Sequence, residues 1–194
     1  MKQYLLLFLS FVSITLSAQH VPTKLFDVEK RSAIGRMNNK SAPQTADYDV
    51  HYYQIDLQLD PAVRFVEGNV NVHFEALTQM DSIVLDFGNQ LIVDSIVYHQ
   101  TTYLTANTSG FNTLSFVFPA TINTLTDDSV QVFYRGTPSG NPVGTPFARV
   151  SVPNGNLIWT LSEPYGASDW WPCKSDLTDK ADSISVHVTV PQGN

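Results

Sequence analysis

The sequence predicts an all-β fold, a mostly antiparallel sheet or sandwich. The first observation is strict alternation: Tyr53, Ile55, Leu57 and Leu59 alternate with Gln54, Asp56, Gln58 and Asp60, and Val66, Gly68, Val70, Val72, Phe74 and Ala76 alternate with Glu67, Asn69, Asn71, His73 and Glu75. A second alternation closes the chain, with Ile184, Val186, Val188 and Val190 on one face and Ser183, Ser185, His187 and Thr189 on the other. Third, no window longer than ten residues after Asp47 carries the period of an amphipathic helix. Period two places successive side chains on opposite faces, so these segments read as half-buried strands.

The order of elements begins with a segment of another kind. In residues 1–18 Lys2 is the only charge, Leu5 to Leu16 form an apolar run, and Ser17-Ala18 are small, the pattern of a secretory signal peptide cleaved after Ala18, or after Ser17. The run is shorter than the ~20 apolar residues that span a bilayer, and no later segment is apolar enough to do so. The expected location is therefore secreted, extracellular or periplasmic. Residues 19–46 hold five bases and two acids, a net charge of +3, with few apolar residues and no sustained period, and read as a basic linker or leader.

From Asp47 onward sixteen acids face five bases, a net charge of −11. A chain of formal charge −7 offers no basic face to phosphate backbones, which excludes nucleic acid as a partner class. The two alternating segments are joined by a turn at Asp60-Pro61 into a hairpin. Shorter strands are expected at about 82–87, 91–99, 113–118 and 129–135, separated by turn chemistry such as Gly88-Asn89 and Ser109-Gly110. Between Gly136 and Asn156 the pattern dissolves into Gly, Pro, Ser and Asn, which reads as a long irregular loop.

The segment after that loop is the most unusual of the chain. Three tryptophans, a tyrosine, the single cysteine and a Glu-Pro pair fall between Trp159 and Cys173. Glu163 follows a short apolar strand and precedes Pro164, a strand-end position from which a carboxylate can point into a cleft. Asp169, six residues on, makes a formal carboxylate pair of the kind glycosidases use, although sequence spacing does not fix their separation. Cys173 has no histidine near it in sequence and reads as a packed thiol; alone, it forms no internal disulfide. His20, His51, His73, His99 and His187 are scattered without ligand spacing, so no metal site is built from local motifs, and no phosphate loop or nucleophile elbow is present.

Thr160-Leu161-Ser162-Glu163-Pro164, with Ala167 and then Trp171-Pro172-Cys173, resembles the N-terminal-domain signature of the aminopeptidase N family of zinc metallopeptidases, TQxEPxxARxxFPC. Lys180-Ala181 matches the stretch that follows, and Tyr48 to Leu59 with Phe65 to Val70 resembles the family's opening strands, so the likeness covers about 47–193. It implies a saddle-like β-domain, 47–194, packed against a thermolysin-like catalytic domain of the same polypeptide, and peptide substrates with a free N-terminus. Glu163 would bind the substrate α-amino group. Leu161 stands where the family usually has glutamine, Ser168 where it has arginine, and Lys174-Ser175-Asp176 where it has Phe-Asp-Glu. The family's HExxH zinc motif and its GAMEN-type loop belong to the next domain and are absent from these residues. The expectation is thus a β-domain incomplete at its C-terminal end, with zinc in a missing catalytic domain and no activity of the chain alone. An alternative from another class is a secreted β-sandwich binding module in which Trp159, Tyr165, Trp170 and Trp171 stack on sugar or peptide.

Overall fold

A computed structural model describes residues 46–104, 107–109, 112–138, 146–162, 166–176 and 178–192. The signal-peptide and leader readings over 1–46 fall, save for Ala46, outside them. The strands are β1 (Tyr48–Gln58), β2 (Val66–Ala76), β3 (Met80–Asp86), β4 (Leu91–Tyr98), β5 (Thr101–Tyr103), β6 (Asn107–Ser109), β7 (Thr113–Ile122), β8 (Asp127–Gly136), β9 (Phe147–Val152), β10 (Gly155–Thr160) and β11 (Ser183–Thr189). They form a six-stranded sheet in the order β11-β1-β2-β8-β4-β5, a three-stranded sheet β3-β7-β6, and a two-stranded sheet β10-β9. The all-β, mostly antiparallel expectation is borne out.

The alternation explains the layers. Tyr53, Ile55 and Leu57 on β1 and Val66, Val70, Val72, Phe74 and Ala76 on β2 are all buried, and they meet Ile83 and Leu85 of β3 and Leu114, Phe116 and Phe118 of β7 in one core. Phe74 stacks on Phe118 at 6.1 Å between ring centroids, and Tyr48 donates its hydroxyl proton to the carbonyl of Val84 at 2.6 Å, tying the layers together. The six-stranded sheet turns its polar face outward. There His187 Nδ1 lies 2.8 Å from Asp56 Oδ1, and His73 Nε2 lies 2.9 Å from the Asn71 side-chain amide, the hydrogen-bonded histidines that the shared polar face predicts.

Two features differ from the sequence reading. β11 pairs with β1 in parallel, Tyr52 opposite Ser183 through Gln58 opposite Thr189. Periodicity assigns a strand its faces but not its neighbour. Second, the loop expected over 136–156 contains β9 and the start of β10, a hairpin with Val152 opposite Gly155. Pro153-Asn154 makes its two-residue turn, and Gly155, at φ +145, takes a backbone angle costly for any other residue. Phe147 and Ala148 are buried and anchor the hairpin to the core, an apolar content the surrounding glycines and prolines conceal. The rest of that loop, 139–145, lies outside the described residues.

Candidate functional site

The segment from Thr160 to Ala181 begins where β10 ends. The backbone N–H of Leu161 donates to the carbonyl of Pro146 at 2.9 Å, and its side chain is 40% exposed. Glu163, Pro164 and Tyr165 lie outside the described residues, so neither the amine anchor nor the Glu163–Asp169 separation is described. Both flanks of that gap are described. Gly166 N donates to the carbonyl of Ser162 at 2.7 Å, and Ser162 Oγ accepts from Trp170 Nε1 at 3.2 Å.

Beyond it a short 3₁₀ helix, Ala167–Asp169, carries Asp169 and leads into Trp170 and Trp171. Gly88 N donates to the carbonyl of Ser168 at 2.7 Å, and a Cβ at Gly88 would lie 3.1 Å from that oxygen, so the small residue of the Gly88-Asn89 turn lets this helix approach closely. Trp170 and Trp171 are only 8% and 7% exposed. Trp171 meets Tyr53 edge to face at 4.9 Å, and Trp170 lies 6.2 Å from Phe147. The stacking platform of the alternative reading is thereby corrected: both rings of the Trp-Trp pair fill the core, because Tyr53, on the inner face of β1, and Phe147, on β9, leave apolar space for both. Trp159, on β10, is half-buried.

Cys173 is buried and bridges to Asp86 at the end of β3, with Asp86 N donating to Cys173 O at 2.7 Å and Cys173 N donating to Asp86 O at 3.1 Å. Burial pushes its thiol well above the ordinary cysteine range, so it is a packed group and not a nucleophile. The Asp86 carboxylate accepts from Ser175 N at 2.8 Å, and burial raises its pKa despite that bond. Lys174, which the sequence marks only as a departure from the family pattern, has a structural role that sequence reasoning missed. Its side chain is 4% exposed; Nζ donates to the carbonyl of Tyr48 at 2.5 Å, pairs with Asp179, and sits 4.6 Å from the centre of the Tyr48 ring. Its backbone N–H donates to the Tyr53 hydroxyl at 3.0 Å. The only signal in the sequence was a basic residue directly after Pro172-Cys173, followed five residues on by an acid.

Segment 170–176 is thus pinned to β1 and β3 by backbone and side chain, and the pinning holds the end of β10 in place. No family model matches the sequence, and no curated protein matches it. Solved structures do. An M1 zinc metallopeptidase from Deinococcus radiodurans matches with a TM-score of 0.65 and 24% identity over 75% of this chain and 33% of its own. A mutant of that enzyme matches at 0.64 and 25%, and native yeast LTA4 hydrolase at 0.60 and 15%, over 75% of this chain and 23% of its own. The chain has the fold found in M1 zinc metallopeptidases. It spans about a third of the length of the Deinococcus structures. The resemblance carried by Thr160 to Cys173 is borne out in the M1 fold.

The matched M1 enzymes are zinc metallopeptidases, and zinc needs a cluster of donor side chains. Among the described residues no three His, Cys, Asp or Glu side chains gather as a metal would require. His51 and His73 are neighbours, 6.3 Å between ring centroids, but lack a third ligand, and His99 and His187 are each engaged with one aspartate. The described residues do not fit a zinc site.

Proposed function

We propose that this chain is the N-terminal substrate-anchoring domain of a secreted zinc metallo-aminopeptidase, with Glu163 binding the α-amino group of the peptide. The observation that carries the proposal is the coincidence of two independent signals on one segment. The fold matches M1 metallopeptidases over three quarters of the chain, and the residues after Glu163 that complete the motif, Trp171, Pro172 and Cys173, are buried supports and not reactive groups. With the second half engaged as scaffold, substrate contact is assigned to Glu163, the carboxylate of the first half. Matched structures of E323A mutants of M1 zinc metallopeptidases hold L-arginine, L-tryptophan or, in the Deinococcus radiodurans enzyme, the peptide Tyr-Ser-Ala, which supports a substrate with a free amino end for this chain as well.

The chemistry suits a carboxylate. It accepts charge-assisted hydrogen bonds from an ammonium, and in a cleft closed to water it rejects an internal peptide bond, which leaves the carboxylate desolvated and unpaired. Leu161, in the place of a glutamine, contributes no polar contact, so the amine would rest on Glu163 alone. Zinc would belong to a catalytic domain of the same polypeptide, and secretion would follow from residues 1–18.

The test uses the polypeptide that carries the catalytic domain. Glu163→Ala should lower kcat/KM by about 2–4 kcal/mol, on the order of 30-fold to 1000-fold, while Glu163→Gln keeps part of the effect through its amide oxygen. N-acetylated peptides should be poor substrates, and Asp169→Ala should change activity much less. Rates on free-amine and on acetylated peptides that stay as they are in the unmutated enzyme when Glu163 is changed to Ala would make the motif structural and end the anchor assignment.

A further inference from the structure

Asp179 carries a carboxylate oxygen that no donor among the described residues satisfies. Its side chain is only 10% exposed, and Oδ2 pairs with the Lys174 ammonium, but Oδ1 is sealed from solvent with no hydrogen-bond donor. A buried acceptor left in that state destabilises the fold unless a proton reaches it. The group that meets Asp179 on its other side is a second carboxyl, that of Asp49, at hydrogen-bonding distance. The backbone accounts for the meeting. Lys174 Nζ donates to the carbonyl of Tyr48 at 2.5 Å, so the Lys174–Asp179 pair is anchored on the peptide unit that leads into Asp49. Tyr48 and Val50 are buried, and alternation leaves Asp49 exposed between them.

Ionised carboxylates only accept hydrogen bonds, so this contact is a bond when one of the two groups holds a proton and a repulsion when neither does. The surrounding charges favour the proton. Asp182 lies near Asp49, and Glu75 of β2 stands directly opposite it in the ladder. Lys174 opposes them, but its ammonium is engaged with Asp179 Oδ2 and with the Tyr48 carbonyl and ring. Asp176, also within the field of Lys174, accepts from the backbone N–H and hydroxyl of Thr178. The Tyr48 and Tyr53 hydroxyls near Asp179 are pushed up by burial and stay neutral. The Asp49 carboxyl is correspondingly lifted above the ordinary aspartate range, first by the contact with Asp179, then by desolvation and by the charge of Asp179.

We propose that Asp49 and Asp179 form a proton-operated latch, in which one proton shared by their carboxyl groups fastens the connector 176–182 onto the start of β1, and loss of that proton leaves only the Lys174 contact to hold it. The connector leads from the motif segment to β11, so the latch sets how firmly these two parts are joined. Because the folded state raises the Asp49 value, the latch contributes fully below the ordinary aspartate range. Its contribution is lost as pH rises through the raised value. It is independent of the role of Glu163.

Carbon-13 NMR of the side-chain carboxyls, followed from pH 3 to 8 in the unmutated chain, reads the pair directly and separates it from Asp86. The Asp49 and Asp179 signals should move together through shared midpoints, as two sites exchanging one proton do. Hydrogen exchange reads the latch itself. After correction for intrinsic rates, the amides of 179–182 should be better protected below the Asp49 midpoint than above it, by about tenfold for each pH unit between that midpoint and the ordinary aspartate value. Asp49→Asn offers an amide N–H to Asp179 Oδ1 at every pH, so protection should persist at pH 7 and lose its pH dependence. Asp49→Ala should remove the added protection throughout. Asp49 is exposed, so neither change opens the core. Three results overturn the proposal: an Asp179 signal that does not move through the Asp49 midpoint, protection of 179–182 that is the same on both sides of it, or Asp49→Asn behaving as Asp49→Ala does.

Discussion

Lys174 shows how a single side chain decides the local structure of this segment. Its ammonium is buried against the Tyr48 carbonyl and ring and against Asp179, so each partner depends on it for charge or donor. Lys174→Ala leaves the Asp179 carboxylate buried without a counter-charge, and the expected cost is about 3–5 kcal/mol, read as a lower urea midpoint with an unchanged slope. Asp86 makes the opposite case. Burial raises its pKa, so the folded state holds its proton more tightly than the unfolded chain does. The contribution of Asp86 to stability is therefore full below the ordinary aspartate range, and it is lost as pH rises through the raised folded value. Asp86→Asn keeps an acceptor for Ser175 N–H and removes the charge. The variant should lose this part of the pH dependence of the melting temperature, with its largest gain over wild type above the raised value; identical pH profiles would show that Asp86 is not desolvated.

At the scale of elements, β1 and β2 were legible because their alternation is long, unbroken over β2 and over β1 from Tyr53 on, past the bulge between Val50 and Tyr52, and a slip of one residue would turn the whole apolar set toward solvent. Gly68 is the tightest point of that pairing. A Cβ there would sit 2.1 Å from the carbonyl oxygen of Asp56 on β1, a backbone atom that moves only if the strand moves. Gly68→Val should destabilise by about 1–3 kcal/mol or more in thermal unfolding, despite the favourable strand propensity of valine. An unchanged melting temperature would mean that β1 shifts freely. The β9–β10 hairpin was not legible. Its strands are short, burial on β9 does not follow the pattern of two, since adjacent Phe147 and Ala148 are buried while Val150 and Val152 are exposed, and Arg149 is held by a contact distant in sequence, with Nε donating to the Pro61 carbonyl at 2.9 Å. The parallel partnership of β11 was likewise hidden, since most of the chain intervenes between it and β1.

For the whole molecule, one core joins the six-stranded and three-stranded sheets, and the motif segment closes over it through Trp170, Trp171 and Cys173. The described residues supply scaffold, no group of metal ligands and no activated nucleophile. The purified chain by itself should release no amino acid from aminoacyl chromogenic substrates and retain no stoichiometric zinc after dialysis, because no group of metal ligands among the described residues could polarise a scissile carbonyl or lower the pKa of a bound water. Chelator-sensitive hydrolysis above background would overturn that expectation.

The sequence by itself determined the β class, the inner and outer faces of β1, β2 and β11, and the likeness of Thr160 to Cys173 to a metallopeptidase motif. Each of these is local, carried by a period of two or by fixed spacing within a few residues. Only the tertiary structure decided that both Trp170 and Trp171 point inward, that Lys174 is a buried cation, and that β11 runs parallel to β1. Those outcomes depend on what occupies the space opposite a side chain. Tyr53, Phe147 and Asp179 occupy it for the motif segment, and β1 occupies the place beside β11.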